Sequence, residues 1–163
     1  MFSTFASFFT GSTAVGRKVA QAAAANLTPV TLELGGKSPA VFDDDADFAS
    51  SVPRLMVGKL LNAGQTCIAP DYALVPAARL DDFIAAATAT VRDLYPQVAT
   101  NPDYTSIVNA RHFARLNGLI DDARSKGARI IPLGEAGAGN DATPRRLVPT
   151  LVAGVTDDMA IAK

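Results

Sequence analysis

Short β-favouring runs alternate with amphipathic helical stretches along most of this 163-residue chain, and that alternation leaves few folds open. Residues 29–34 place Val30, Leu32 and Leu34 on one side and Thr31 and Glu33 on the other, the period of a strand. Further strand-like runs fall at 38–42, 72–76, 127–133 and 146–152. Between them lie helical patterns at about 13–25, 48–60, 80–94 and 110–126. The expected inward faces are Val15, Val19 and Ala22–Ala23; then Phe48, Val52, Leu55, Met56 and Leu60; then Leu80, Phe83, Ile84, Ala87, Val91 and Leu94; then Phe113, Leu116, Ile120 and Ala123. Residues 95–109 carry two prolines and read as a long connector, and 134–143 as a mobile Gly/Ala loop. The order predicts an α/β protein with a mostly parallel open sheet flanked by helices.

The only cysteine, Cys67, sits where a helical pattern breaks. Apolar residues lead into Asn62-Ala63-Gly64, glycine lets the backbone turn freely, and Pro70 keeps a helix from running through the thiol. Such a thiol is presented rather than packed, and the amides around the turn suit a developing negative charge. The other reading is a buried, inert thiol, against which the polar, glycine-containing turn argues. Upstream, Glu33 stands at the end of an apolar strand before Gly35-Gly36. It is a candidate base and reads equally well as an ordinary alternating exposed residue.

Near the start, residues 7–10 run into Gly11-Ser12-Thr13, a helix-start signal, with Gly16 one turn on. A strand followed by a helix with glycine at the joint leaves N–H groups and a positive dipole end facing outward, which suits a phosphate. Gly-x-x-x-x-Gly is neither the Rossmann fingerprint nor a P-loop, so by itself it reads as a packing corner.

Together these three stretches, Phe9 to Gly16, Leu32 to Pro39 and Asn62-Ala63-Gly64-Gln65-Thr66-Cys67-Ile68-Ala69-Pro70-Asp71-Tyr72, resemble the NAD(P)-dependent aldehyde dehydrogenases. The order and approximate spacing of the three agree with that family. The cysteine stretch is most similar to the branch of coniferyl aldehyde dehydrogenases and class 3 enzymes. The resemblance implies Cys67 as nucleophile, Glu33 as general base, and Gly11, Ser12, Gly16 and Leu34 beside the cofactor, NAD or NADP. It implies a small-molecule aldehyde, aromatic if the branch holds, oxidised to a carboxylic acid through a cysteine thioester. Residues 1–36 would be the C-terminal piece of a Rossmann-like cofactor domain and 37–163 part of the catalytic domain. The chain would cover only about a third of a family member, lacking on one side the positions that grip the adenosine ribose and on the other a Glu-Glu-x-Phe-Gly-Pro region. It is therefore expected to be inactive alone and to hold cofactor weakly or not at all. Intact family members are homo-oligomers.

Fifteen basic and sixteen acidic residues nearly cancel, with no basic stripe to track nucleic acid. No window is long and apolar enough for a bilayer span, the apolar opening residues lack a basic leader, and one cysteine gives no sign of an oxidising compartment. A cytoplasmic protein is expected. Asp43, Asp44, Asp45 and Asp47 read as helix-start charge rather than metal ligands. His112, the only histidine, lies off its helix's apolar stripe, which leaves a Cys/His hydrolase without support. Two other classes remain open, a cysteine-based redox protein and a non-catalytic interaction module.

Overall fold

The computed structural model describes residues 6–135 and 145–163. The 134–143 loop expected from the sequence therefore falls almost wholly outside the described residues. The chain divides into two compact units, Met1–Ser38 and Pro39–Lys163.

In the first unit, β1 (Ser7–Thr10) and β2 (Val30–Glu33) pair in parallel, in a register that sets Ser7 beside Val30 and Thr10 beside Glu33. A parallel pair needs a crossover, and α1 (Thr13–Ala25) is that crossover. Ser12 caps α1, its Oγ accepting from the Val15 N–H at 3.4 Å. At the other end the Asn26 N–H donates to carbonyls of the last turn, and Leu27 turns the chain out at φ 51°. The inward face of α1 differs from the expected one. Gly16 is the buried residue, whereas Val15 is 47% exposed. The cause is local: a Cβ on Gly16 would meet Leu34 Cδ2 at 2.9 Å, so the helix approaches the strand side at its glycine and turns Val15 away.

In the second unit, α2 (Phe48–Leu60) and α3 (Leu80–Leu94) share one core of Phe48, Val52, Met56, Leu60, Phe83, Ala87, Val91 and Leu133. The expected stripes supply nearly all of it. Leu94 is the exception at 37% exposed, the last residue of α3. Phe42, Phe48 and Phe83 meet edge to face, with ring centroids 5.3–5.8 Å apart. Over this trio Arg79 lays its guanidinium 3.9 Å from the Phe48 ring and donates to the carbonyls of Asp44 and Ala46. The acidic run thus serves mainly through its backbone. Only Asp47 acts on the helix, as the cap accepting from the Ala49 N–H at 3.0 Å.

Short strands complete the unit. β3 (Ser38–Val41) pairs with β4 (Pro70–Leu74), and after α4 (Ala110–Ser125) the strands β5 (Arg129–Pro132) and β6 (Thr150–Ala153) pair antiparallel. The class is α/β as expected. Its described strands associate two by two, parallel in β1–β2 and antiparallel in β5–β6. The strand expected at 72–76 begins earlier, at Pro70, the first position of a strand being one that tolerates a missing N–H. No helix among the described residues is long and apolar enough to cross a membrane.

Three carboxylates sit below their ordinary range. Hydrogen bonds from Ser50 and the Ala49 N–H lower Asp47, those from Lys126 and the Ala160 N–H lower Asp122, and one from Thr156 lowers Asp158. Their folded values lie below 3.8, so each contributes stability that is fully present above 3.8 and disappears as pH falls through the lower folded value. Melting temperature is therefore expected to drop on acidification below that point. Asp47→Asn, which keeps a capping oxygen but removes the charge, should flatten part of the drop; an unchanged acid limb would count against the Asp47 contribution.

Candidate active site

Two places carry the chemistry expected from the sequence, one in each unit. In the first unit, the Gly11 N–H donates to the Glu33 carbonyl at 3.1 Å and extends the β1–β2 ladder by one step. Gly11, Ser12 and Glu33 thereby gather at the C-terminal end of the parallel pair, where the N-terminus of α1 also opens. That end of an α/β sheet is the usual side for ligands. A Cβ on Gly11 would meet the Phe9 ring at 2.6 Å, so only glycine leaves the ring its place against the backbone. Leu34 packs on Gly16, which makes both of them packing partners that hold the helix start beside the strand ends. Glu33 is exposed.

These residues fit a phosphate-bearing cofactor by the chemistry of their donors. A helix start leaves its first N–H groups without partners inside the helix, the dipole adds positive potential, and Ser12 contributes a hydroxyl. No acidic residue lies in the first turn of α1 to oppose an anion.

In the second unit, α2 stops at Leu60, and Asn62, Ala63 and Gly64 follow with φ of 54°, 53° and 76°. Three successive left-handed residues reverse the chain sharply, and for Ala63 the conformation costs about 1–2 kcal/mol. The sequence anticipated a turn at Gly64 but not its spread over the two preceding residues. Next, the Ala69 N–H donates to the Thr66 carbonyl at 3.0 Å and closes a tight turn with Cys67 and Ile68 at its tip. Ala69 is buried and anchors the turn; Cys67 is exposed, and Ile68 is 79% exposed. The thiol is presented, as expected.

What the sequence did not signal is the support beneath this turn. The Gln65 carboxamide donates to the carbonyls of Asn62 (3.0 Å) and Ser106 (3.2 Å) and accepts from the Val108 N–H (2.9 Å). The stretch it grips, expected as a connector, is a core piece in which Val98, Tyr104 and Ile107 are buried. Arg146 donates to the Val98 and Asn101 carbonyls, Arg145 to that of Ile107, and the Tyr104 hydroxyl to that of Leu147. Burial pushes the Tyr104 phenol up, which keeps it a donor. A long polar residue just before a cysteine turn was the one available hint of Gln65.

His112 heads α4, its N–H donating to the cap Asn109 and its ring 3.5 Å from Arg111. No cluster of three or more metal-ligating side chains occurs among the described residues.

A parallel strand pair joined by a glycine-cornered helix, followed by an exposed thiol on a tight turn, defines an α/β protein with a presented cysteine. The model of the aldehyde dehydrogenase family matches residues 6–163, and the chain belongs to that family. It is 49% identical over 154 residues to the coniferyl aldehyde dehydrogenase of Pseudomonas sp. strain HR199, a match covering 94% of this chain and 32% of that protein. It is similar to the substrate-bound state of AldH from Staphylococcus aureus, with TM-score 0.83 and 44% identity over 96% of this chain and 33% of that one. Aldehyde dehydrogenase C from Pseudomonas syringae, solved with NAD+ and octanal, matches with TM-score 0.81 and 32% identity over 98% of this chain and 33% of that one. The chain thus spans about a third of the length of these relatives.

Proposed function

We propose that this chain carries the nucleophile and the general base of an enzyme that oxidises an aldehyde to a carboxylic acid with NAD or NADP. The observation that carries the proposal is the Thr66–Ala69 turn with an exposed Cys67 at its tip, in a chain of the aldehyde dehydrogenase family. An aromatic aldehyde of the coniferyl type is the favoured substrate, since a relative 49% identical bears that name. In this scheme residues 1–36 are the end of the cofactor domain and 37–163 part of the catalytic domain, a division two residues from the boundary between the compact units at Ser38.

Cys67 Sγ, as thiolate, attacks the aldehyde carbon; the C–S bond forms and the carbonyl pair moves to oxygen, where amide donors of the turn stabilise it. Ser12 and the first N–H groups of α1, with Gly11, Gly16 and Leu34 holding the helix start beside the strand ends, would bind the pyrophosphate of the cofactor, whose nicotinamide would supply the hydride acceptor that turns the thiol adduct into a thioester. Glu33 then takes a proton from water, whose oxygen attacks the thioester carbon; the C–S bond breaks, the acid departs and the thiolate is restored. A reducing compartment such as the cytoplasm suits a free nucleophilic cysteine.

An aldehyde that adds to Cys67 must shield it. Preincubation of the purified chain with an aromatic aldehyde is expected to slow alkylation of Cys67 by iodoacetamide, read by mass spectrometry, and alkylation should vanish in Cys67→Ala. Undiminished alkylation at saturating aldehyde would sink the nucleophile assignment. Sustained NAD(P)H formation is not expected from this chain alone; its appearance, lost in Cys67→Ala, would show instead that these residues suffice for turnover.

A further inference from the structure

We propose that Gln65 is a positioning residue for Cys67. Its carboxamide uses both kinds of hydrogen-bonding group at once: the NH2 donates to the Asn62 and Ser106 carbonyls and the oxygen accepts from the Val108 N–H. One side chain therefore ties the left-handed stretch before the thiol to a segment more than forty residues further along the chain. The Asn62 side chain closes the same stretch from the other direction, donating to the Gln65 carbonyl at 3.3 Å.

The need for such a clamp follows from the backbone. Asn62 and Ala63 hold left-handed conformations that L residues adopt at a cost, and they persist only where surrounding contacts fix them. The segment gripped by Gln65 is itself firm. Ile107 is 2% exposed and exchanges hydrogen bonds with Arg145, its N–H donating to the Arg145 carbonyl and its own carbonyl accepting from Arg145 Nε. Without the clamp, residues 62–64 are free to relax and the turn carrying Cys67 loses its fixed direction. Among residues of similar length, glutamate supplies only the acceptor and leucine neither group.

The inference rests on the proposed nucleophile for its catalytic meaning, while its test reads the thiol and the clamp directly. Two measurements are made on the purified chain and on Gln65→Leu and Gln65→Glu: hydrogen exchange of the Val108 amide by NMR, and the rate of Cys67 alkylation by iodoacetamide. Gln65→Leu is expected to speed Val108 exchange at least about tenfold, the amide having lost its acceptor. Alkylation should slow at least roughly threefold, because the thiol is no longer held outward. Gln65→Glu keeps the acceptor, so Val108 should stay protected, yet alkylation should remain slow because a carboxylate then faces two carbonyls. If Gln65→Leu fails to fold, Gln65→Glu carries the test. Alkylation within about twofold of the parent chain in the folded variants would overturn the inference, since geometry that matters to reactivity shows larger effects. Absence of aldehyde protection in the parent chain, with the Gln65 effects intact, would instead remove the nucleophile assignment and leave the clamp standing.

Discussion

Phe83→Ala is expected to remove a large part of the stability of the second unit. Phe83 is 3% exposed, meets Phe42 and Phe48 edge to face, and so joins α3 both to α2 and to the segment after β3. Truncating a buried phenylalanine costs about 3–5 kcal/mol through lost transfer energy and the cavity left behind. A domain of this size has about 5–15 kcal/mol in total. The loss should extend to the Arg79 clamp, since the Phe48 ring beneath that guanidinium would have no partner on one flank. Urea unfolding followed by circular dichroism provides the measurement. A loss below about 1 kcal/mol would mean that the site collapses around the missing ring and that the aromatic trio is not the keystone inferred here.

Glu33→Gln is expected to separate the two halves of the chemistry. An activated aryl ester acylates Cys67 directly: thiolate displaces aryloxide and forms a thioester, with no hydride to transfer. Under the proposed mechanism, water then releases the acid in the parent chain with Glu33 as base. In Glu33→Gln the first step should proceed and the second should slow by about 10²–10⁴, the usual contribution of a positioned base. Intact-mass analysis would show the acyl group persisting on Cys67. Equal deacylation in both proteins would dissociate Glu33 from the thiol and end the proposed pairing.

Much of the secondary structure was legible because its local signals agree. Helix α3 spans Leu80–Leu94, the limits its apolar stripe suggested, with Pro76 ahead of it and Asp81 and Asp82 favouring its start. Cys67 was legible as a presented thiol because glycine and proline flank it in a polar turn. Four other features were not. The direction in which β5 and β6 pair depends on contacts that no periodicity encodes. The core role of Val98, Tyr104 and Ile107 comes from long-range packing in a segment with neither helical nor strand period, so it read as a connector. Gln65 escaped notice for the same reason: its partners lie far along the chain, and a glutamine before a turn ordinarily faces solvent. Val15 read as inward because its helix face was inferred from size, whereas the close approach to Leu34 is made by the residue that has no side chain, Gly16.

The grip of Gln65 on Ser106 and Val108, and of Arg145 on Ile107, has a temporal corollary. During synthesis, the bend that displays sulfur cannot settle until some eighty later residues have left the ribosome, for its last anchor is Arg145. Helices α2 and α3 can dock well before then. A nascent chain halted after α4 is thus expected to own the docked α2–α3 part of the core, without Leu133, and a thiol still without a fixed bearing.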